Sequence, residues 1–190
     1  EKKDDTLPFI IKPSRAEAHK FYGNRTVLSV EDGFLIGFDH GEWGGYLYWF
    51  SKDGKNRYEI AKYQVNQFIK RQDTIFAIEG VAHLGESSGN LITIEKKEQQ
   101  WQAISYHQLP YAPCGIDLDN EGNFIIVTSN NLIKIDKNNK LTTLIESGFW
   151  SWSLYPNSLA IYQNIAYIGM RKGILKYNLS TTQQEWLLRE

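Results

Sequence analysis

The sequence predicts an all-β protein assembled from four repeats of one antiparallel four-stranded unit. Three observations carry that prediction. A hexamer recurs as Tyr46-Leu47-Tyr48-Trp49-Phe50-Ser51, Asn90-Leu91-Ile92-Thr93-Ile94-Glu95, Asn131-Leu132-Ile133-Lys134-Ile135-Asp136 and Gly173-Ile174-Leu175-Lys176-Tyr177-Asn178, with Leu47, Leu91, Leu132 and Ile174 spaced 44, 41 and 42 residues apart. Each hexamer is preceded by a second apolar run: Phe34-Leu35-Ile36, Ile75-Phe76-Ala77-Ile78, Phe124-Ile125-Ile126-Val127 and Ile165-Ala166-Tyr167-Ile168. The runs are short, rich in β-branched and aromatic residues, and cut by turn formers such as Asp53-Gly54 and Asn138-Asn139, which marks strands rather than helices.

The elements follow in chain order. Residues 1–6 are polar and expected to be frayed. Residues 7–25 precede the repeats: Leu7-Pro8-Phe9-Ile10-Ile11 suggests an edge strand, and Ser14-Arg15-Ala16-Glu17 has capping-box spacing for a short helix from Ala16 to Tyr22, stopped by Gly23. The repeats occupy about 26–62, 63–107, 112–146 and 157–190. A first strand is visible as Ile116/Leu118 and Leu159/Ile161. A fourth follows each hexamer, as in Trp101–Tyr106 and Leu141–Ile145. A period of 40–45 residues with four strands per unit predicts a small β-propeller of about four blades, as a closed ring or an open arc. No single sheet buries both faces alone, so Leu47, Leu91, Leu132 and Ile174 are all expected between neighbouring sheets.

Composition bounds the function. Twenty-one Lys and Arg against 22 Asp and Glu leave a formal net charge of -1, which argues against nucleic-acid partners. No apolar run reaches the ~20 residues of a membrane-spanning helix, so membrane insertion is not expected. One cysteine excludes an intramolecular disulfide and a multi-cysteine zinc site. The first residue is Glu1 rather than Met, which leads to the expectation of a removed signal and a periplasmic or secreted location, with the cytoplasm as the alternative.

Two motifs resemble known repeats. Ala112-Pro113-Cys114-Gly115-Ile116-Asp117-Leu118-Asp119-Asn120-Glu121-Gly122-Asn123 resembles the opening of NHL and SMP-30/gluconolactonase-type propeller repeats. Ala166–Tyr177 resembles the Trp-Ile-Gly…Gly-Leu…Tyr pattern of two-component-regulator propeller repeats. The resemblance implies fold, and it implies chemistry hardly at all. Asp39 and Glu79 fall at equivalent ends of second strands and, with Asn130 near the rim, are the alternative oxygen donors for calcium or another divalent cation; the resemblance implies an ion at the channel mouth, as in the SMP-30-like lactonases, but their full ligand pattern does not map onto this chain.

In such a fold the strand 2–3 loops and the blade connections open on one face, and here that set is long and chemically unusual. It carries Asp39, His40, Glu42 and Trp43; His83, Glu86, Ser87 and Ser88; Tyr111; Trp150 and Trp152; and Arg171. These are the candidate partner-binding residues, because loops on a rigid scaffold carry function. The first two loops are expected to meet across one seam. Gly85-Glu86-Ser87-Ser88-Gly89 fits a serine-hydrolase pattern but lacks the strand–turn–helix context an elbow requires. Asp117–Gly122 imitates a calcium loop but has Thr128 where a bidentate Glu is needed, so it reads as a hairpin turn. Cys114 reads as a small buried apolar residue rather than a nucleophile. Asn24-Arg25-Thr26 and Asn178-Leu179-Ser180 are glycosylation sequons by pattern only. No complete catalytic set is visible. The sequence therefore favours a non-catalytic module that binds a protein or glycan without a cofactor, in one form an inhibitor or immunity-type protein against a secreted hydrolase. The alternative is a small metal-assisted lactonase or esterase.

Overall fold

The computed structural model describes residues 7–148, 150 and 154–188. The chain forms four antiparallel four-stranded sheets, each a meander in sequence order. Sheet A holds β1 (Asn24–Val30), β2 (Gly33–Asp39), β3 (Gly45–Ser51) and β4 (Arg57–Ala61). Sheet B holds β5 (Val65–Arg71), β6 (Thr74–His83), β7 (Glu86–Lys97) and β8 (Gln100–Leu109). Sheet C holds β9 (Pro113–Leu118), β10 (Phe124–Thr128), β11 (Leu132–Ile135) and β12 (Leu141–Ile145). Sheet D holds β13 (Pro156–Tyr162), β14 (Ile165–Met170), β15 (Gly173–Asn178) and β16 (Gln184–Leu188).

Strand alternation puts every second residue on each face, and both faces of the inner sheets are apolar, so the sheets stack. Leu35, Leu47 and Trp49 of A meet Phe68, Ile75, Ala77 and Ile92 of B. Phe76, Ile78 and Leu91 of B meet Ile116, Phe124, Ile126 and Ile133 of C. Ile125, Val127 and Leu132 of C meet Leu159, Ile168, Leu175 and Tyr177 of D. The first strands run side by side, β1 next to β5, β5 next to β9 and β9 next to β13. Polar groups fasten them. The Gln67 amide donates to Ile116 O (2.9 Å) and accepts from Ile116 N (3.3 Å), an imitation of a strand pair, and Ile161 N donates to Asp117 Oδ2 (2.7 Å). A Cβ at Gly115 would lie 2.9 Å from Leu159 N, which explains the glycine of the Pro-Cys-Gly-Ile motif.

The strand 3–4 pairing shifts register at Leu47/Tyr48, Leu91/Ile92 and Leu132/Ile133. These bulges add one residue to β4, β8 and β12: Ile60, Tyr106 and Leu144. Each packs into the seam with the following sheet, as a bulge that re-aims a side chain should. In sheet D, β15 and β16 pair without a shift.

Three expectations are corrected here. Leu47, Leu91 and Leu132 are completely buried, but Ile174 is 41% exposed. It points away from sheet C, and no apolar cluster among the described residues joins sheet D to sheet A. The sheets therefore form an arc. Residues 7–17 add no edge strand either, since Pro8 and Pro13 lack the N–H groups a ladder needs. Instead Leu7, Phe9, Ile11 and Phe21 cover the free face of sheet A, formed by Ile36, Phe38, Tyr48 and Phe50. The expected helix shrinks to one 3-10 turn, Ala18–Lys20, behind a Ser14–Glu17 hydrogen bond of 2.9 Å. Arg57 binds Glu17 (3.0 Å) and Lys20 binds Glu59 (2.8 Å), tying this lead-in to β4. Residues 1–6 lie outside the described residues.

Candidate functional site

The loop after β2 closes on itself. His40 N donates to Gly44 O (2.9 Å), and Asp39 Oδ1 accepts from Gly41 N (2.7 Å). A 3-10 turn, Gly41–Trp43, fills the loop, and Gly44 leaves it with φ 81°, a conformation that favours glycine. Closure pushes Glu42 and Trp43 outward, and Trp43 is 76% exposed.

The segment around His83 and Glu86–Ser88, expected as a long strand 2–3 loop, is instead a paired arm. β6 and β7 stay in register through Val81–Ser88, Ala82–Ser87 and His83–Glu86. Leu84 and Gly85 alone form the turn, with φ 48° and 89°. Positive φ at both centre residues suits the right-handed twist of a hairpin. The turn holds Leu84 in solvent at 84% exposure. Sequence reasoning missed Leu84. Its only signal was a Leu-Gly pair between polar residues, where Asn-Gly would have been the stronger hairpin mark.

The two loops meet across the A–B seam. His83 Nδ1 lies 3.2 Å from Glu42 Oε2, and both side chains are nearly half exposed. Trp43 and Leu84 each follow one member of this pair in sequence. Below it lies a cleft of about 170 Å³ lined by Gly45, Lys62, Gln64, Glu79, Ser88 and Asn90. Gln64, in the connection between sheets A and B, donates from Nε2 to Asp39 Oδ1 (2.7 Å) and accepts at its backbone O from Gly80 N (3.2 Å), which links the two loop bases. Glu79 is buried and accepts from Asn90 Nδ2. Burial raises the Glu79 carboxyl above its ordinary range, and the Asn90 bond only partly offsets that. A larger hollow, about 570 Å³, lies beneath the lead-in and is lined mainly by apolar side chains such as Leu7, Phe9 and Phe21.

Asp39, Glu42, Trp43, His83, Glu86 and Ser88 thus belong to the two facing loops and the cleft between them. The remaining candidates lie elsewhere. His40 is buried and stacks on Tyr22 at 4.0 Å, and burial lowers its pKa. It packs the lead-in and is not presented to a partner. Ser87 Oγ bonds Ser129 Oγ (2.8 Å) and accepts from Ala112 N (2.8 Å), so it fastens the arm to sheet C. Tyr111 is half-buried in the B–C connection. Trp150 is buried in the C–D core, where an indole fills space that a loop residue would leave open. Trp152 lies outside the described residues. Arg171 is exposed and stacks over Tyr155 at 4.4 Å, two sheets from the cleft.

For the divalent-ion alternative, Asp39 Oδ1 accepts from Gly41 N and Gln64 Nε2, Glu79 Oε1 accepts from Asn90 Nδ2, and Asn130 N donates to Thr128 Oγ1 in a turn. Among the described residues no three His, Cys, Asp or Glu side chains converge as a metal site. The calcium-like segment is a turn in which Asp119 Oδ1 accepts from Glu121 N and Asn123 N (both 2.9 Å), while Lys134 pairs with the same carboxylate (3.2 Å). The Gly85–Gly89 pattern lies at the start of a strand, without an elbow. Cys114 packs against the C–D core, and burial pushes its thiol up to about 12.

No family model matches the chain, and no curated protein sequence does. Solved structures do. The BT4673 extracellular domain from B. thetaiotaomicron aligns with 84% of this chain and 21% of its own, at 17% identity and a TM-score of 0.58. A streptogramin B lyase aligns with 86% of this chain and 54% of its own, at 16% identity and a TM-score of 0.56. Virginiamycin B lyase from Staphylococcus aureus aligns with 88% and 56%, at 14% identity and a TM-score of 0.56. The chain therefore spans between about a fifth and just over half of these proteins' lengths. At such identities the likeness establishes the propeller-type fold, and no described helix is long and apolar enough to cross a membrane.

Proposed function

We propose that this chain is a non-catalytic recognition module that binds a protein or glycan through the A–B loop face, in the periplasm or outside the cell. The observation that carries this reading is the Glu42–His83 contact, which joins two loops from different sheets into one surface. That surface presents a large indole and a leucine to solvent on either side of charged groups. Trp is the residue most enriched at binding hot spots, and a ring beside carboxylate and imidazole offers apolar and hydrogen-bonded contact together. The likeness in fold to an extracellular domain supports the location. In its narrower form the arm tip enters the active site of a secreted hydrolase, as an inhibitor or immunity-type protein would. No cofactor is part of the proposal.

The test uses the folded domain as bait against the secreted and periplasmic fractions of its source, and against a glycan array. Wild type, Trp43→Ala and Leu84→Asn are run in parallel. A ligand held by wild type and lost from both variants supports the reading. A ligand held equally by all three overturns it.

A further inference from the structure

We infer that the cleft between sheets A and B is an anchor site for a single lysine side chain of a partner protein. This rests on the loop-face reading above and narrows it to a protein partner that presents a basic residue. The cleft lies beneath the Glu42–His83 contact, between loops that are described throughout. Its volume of about 170 Å³ is well under the ~300–1,000 Å³ of a small-molecule site. It therefore has room for one side chain rather than a whole ligand.

Three features select an ammonium group. The first is a half-paired carboxyl in the wall. Glu79 is 8% exposed, and its Oε1 accepts from Asn90 Nδ2. Among the described residues its Oε2 has no hydrogen bond and the carboxyl has no ion pair. A buried carboxylate without a counter-charge is costly, and a cation entering the cleft removes that cost. The second is the acceptor set. Gln64 Oε1 is buried without a hydrogen-bond partner, and Asn90 Oδ1 has none while its Nδ2 serves Glu79. With Glu79 Oε2 they give the residues lining the cleft three acceptors without donors. A lysine ammonium brings three N–H donors. Arginine fits less well, because its planar fork favours a carboxylate with both oxygens open, and Asn90 holds one of these. The third is the mouth. Asp39, Glu42 and Glu86 stand on the two loops against Lys62 and His83, and His83 is paired with Glu42, so an approaching cation is attracted. Lys62 is exposed and makes no ion pair with Glu79. Val81 and the glycine backbone of both loops form the remaining wall, along which a lysine stem can lie.

Titration of the whole chain with the peptide acetyl-Gly-Lys-Gly-amide, followed by proton–nitrogen NMR, tests the cleft without the partner. The readouts are the Asn90 side-chain amide and the Gly80 and Gly89 N–H groups. Parallel titrations use the same peptide with Nε-acetyl-lysine or arginine in place of lysine, and calcium chloride. The lysine peptide should shift these signals with a dissociation constant in the low millimolar range. The arginine peptide should bind more weakly, and the acetylated peptide and calcium should leave the signals in place. Glu79→Gln should weaken lysine binding at least tenfold, and Lys62→Glu should tighten it. Thermal melts check that each variant is folded, and Lys62→Glu with the acetylated peptide decides the matter if Glu79→Gln is not. Trp43→Ala and Leu84→Asn should keep peptide binding, since neither side chain lines the cleft. Capture lost in those two variants thus reads the loop face, and the peptide titration reads the cleft alone. The inference is overturned by no shift up to about 50 mM peptide, by equal binding of the acetylated or arginine peptide, or by stronger binding of calcium. Lysine binding unchanged in Glu79→Gln, or no tighter in Lys62→Glu, overturns it as well. A captured glycan, or capture undiminished in Glu79→Gln, also overturns it while leaving the loop-face reading standing.

Discussion

Leu132 and Ile174 occupy the same position of the repeat, yet the fold gives them opposite surroundings, and truncating each to alanine measures that difference. Leu132 is completely buried between sheets C and D. Removing three carbons forfeits about 2.4 kcal/mol of transfer free energy at ~0.8 per group. The cavity left between two rigid sheets adds to that, so Leu132→Ala should lose about 3–4 kcal/mol, inside the range for core Leu→Ala changes. Ile174 also loses three carbons, but it is 41% exposed and no sheet closes over it. Its transfer term shrinks to about 1.4 kcal/mol, and no cavity forms. Urea titration followed by tryptophan fluorescence reads both. The gap should be roughly 1.5–2.5 kcal/mol. Losses equal within 0.5 kcal/mol would refute the arc, and a Leu132→Ala loss below about 1 kcal/mol would refute the strand phase itself.

Other outcomes follow from single contacts. Asp32 accepts from the indoles of Trp49 (3.2 Å) and Trp101 (3.1 Å) and pairs with Lys96 (2.9 Å), locking A to B; Asp32→Ala should lose about 1–3 kcal/mol in the same titration, the range for stranding buried donors. Burial raises the Asp32 carboxyl, but Lys96 and the two indoles outweigh it and hold the pKa low, so this contribution is present above the unfolded carboxyl's pKa and fades as pH falls through the folded value. Glu79 has the opposite sign: its raised pKa makes it favourable below the unfolded value and a liability as pH rises through the folded one. Glu79→Gln should therefore stabilise the protein more at pH 7 than at pH 4, read by thermal melts at both. Cys114, with its thiol pushed up to about 12, should react with Ellman's reagent only after denaturant is added. Leu84→Asn should leave the melting temperature unchanged or higher, because Asn tolerates the positive φ that strains Leu84.

The sheet architecture was legible because each level of the sequence agreed. The hexamer spacing, the apolar runs and the Gly-bearing turns all named the same strands, and the meeting of Glu42 with His83 follows from their equivalent places in adjacent repeats. What escaped the sequence depends on what lies opposite a residue. Ile174 reads like Leu132 until the absence of a facing sheet is seen. His40 and Trp43 share one loop, and only its closure through the His40–Gly44 bond turns one inward and the other out. Leu84 looked like a loop residue because β-pairing through residues 81–88 has no strong propensity signal in a Gly- and Ser-rich segment. Residues 7–11 carry strand-like residues, but Pro8 within them, Pro13 just beyond and the apolar face of sheet A made packing the better outcome than pairing.

Hydrogen–deuterium exchange on the domain, free and bound to its captured ligand, tests the central claim most directly. Binding through the A–B loop face predicts slowed exchange concentrated in residues 40–45 and 81–88, with sheet D unchanged. Protection confined to β13–β16, or to the opposite edge around Asp32 and Asp119, would contradict it.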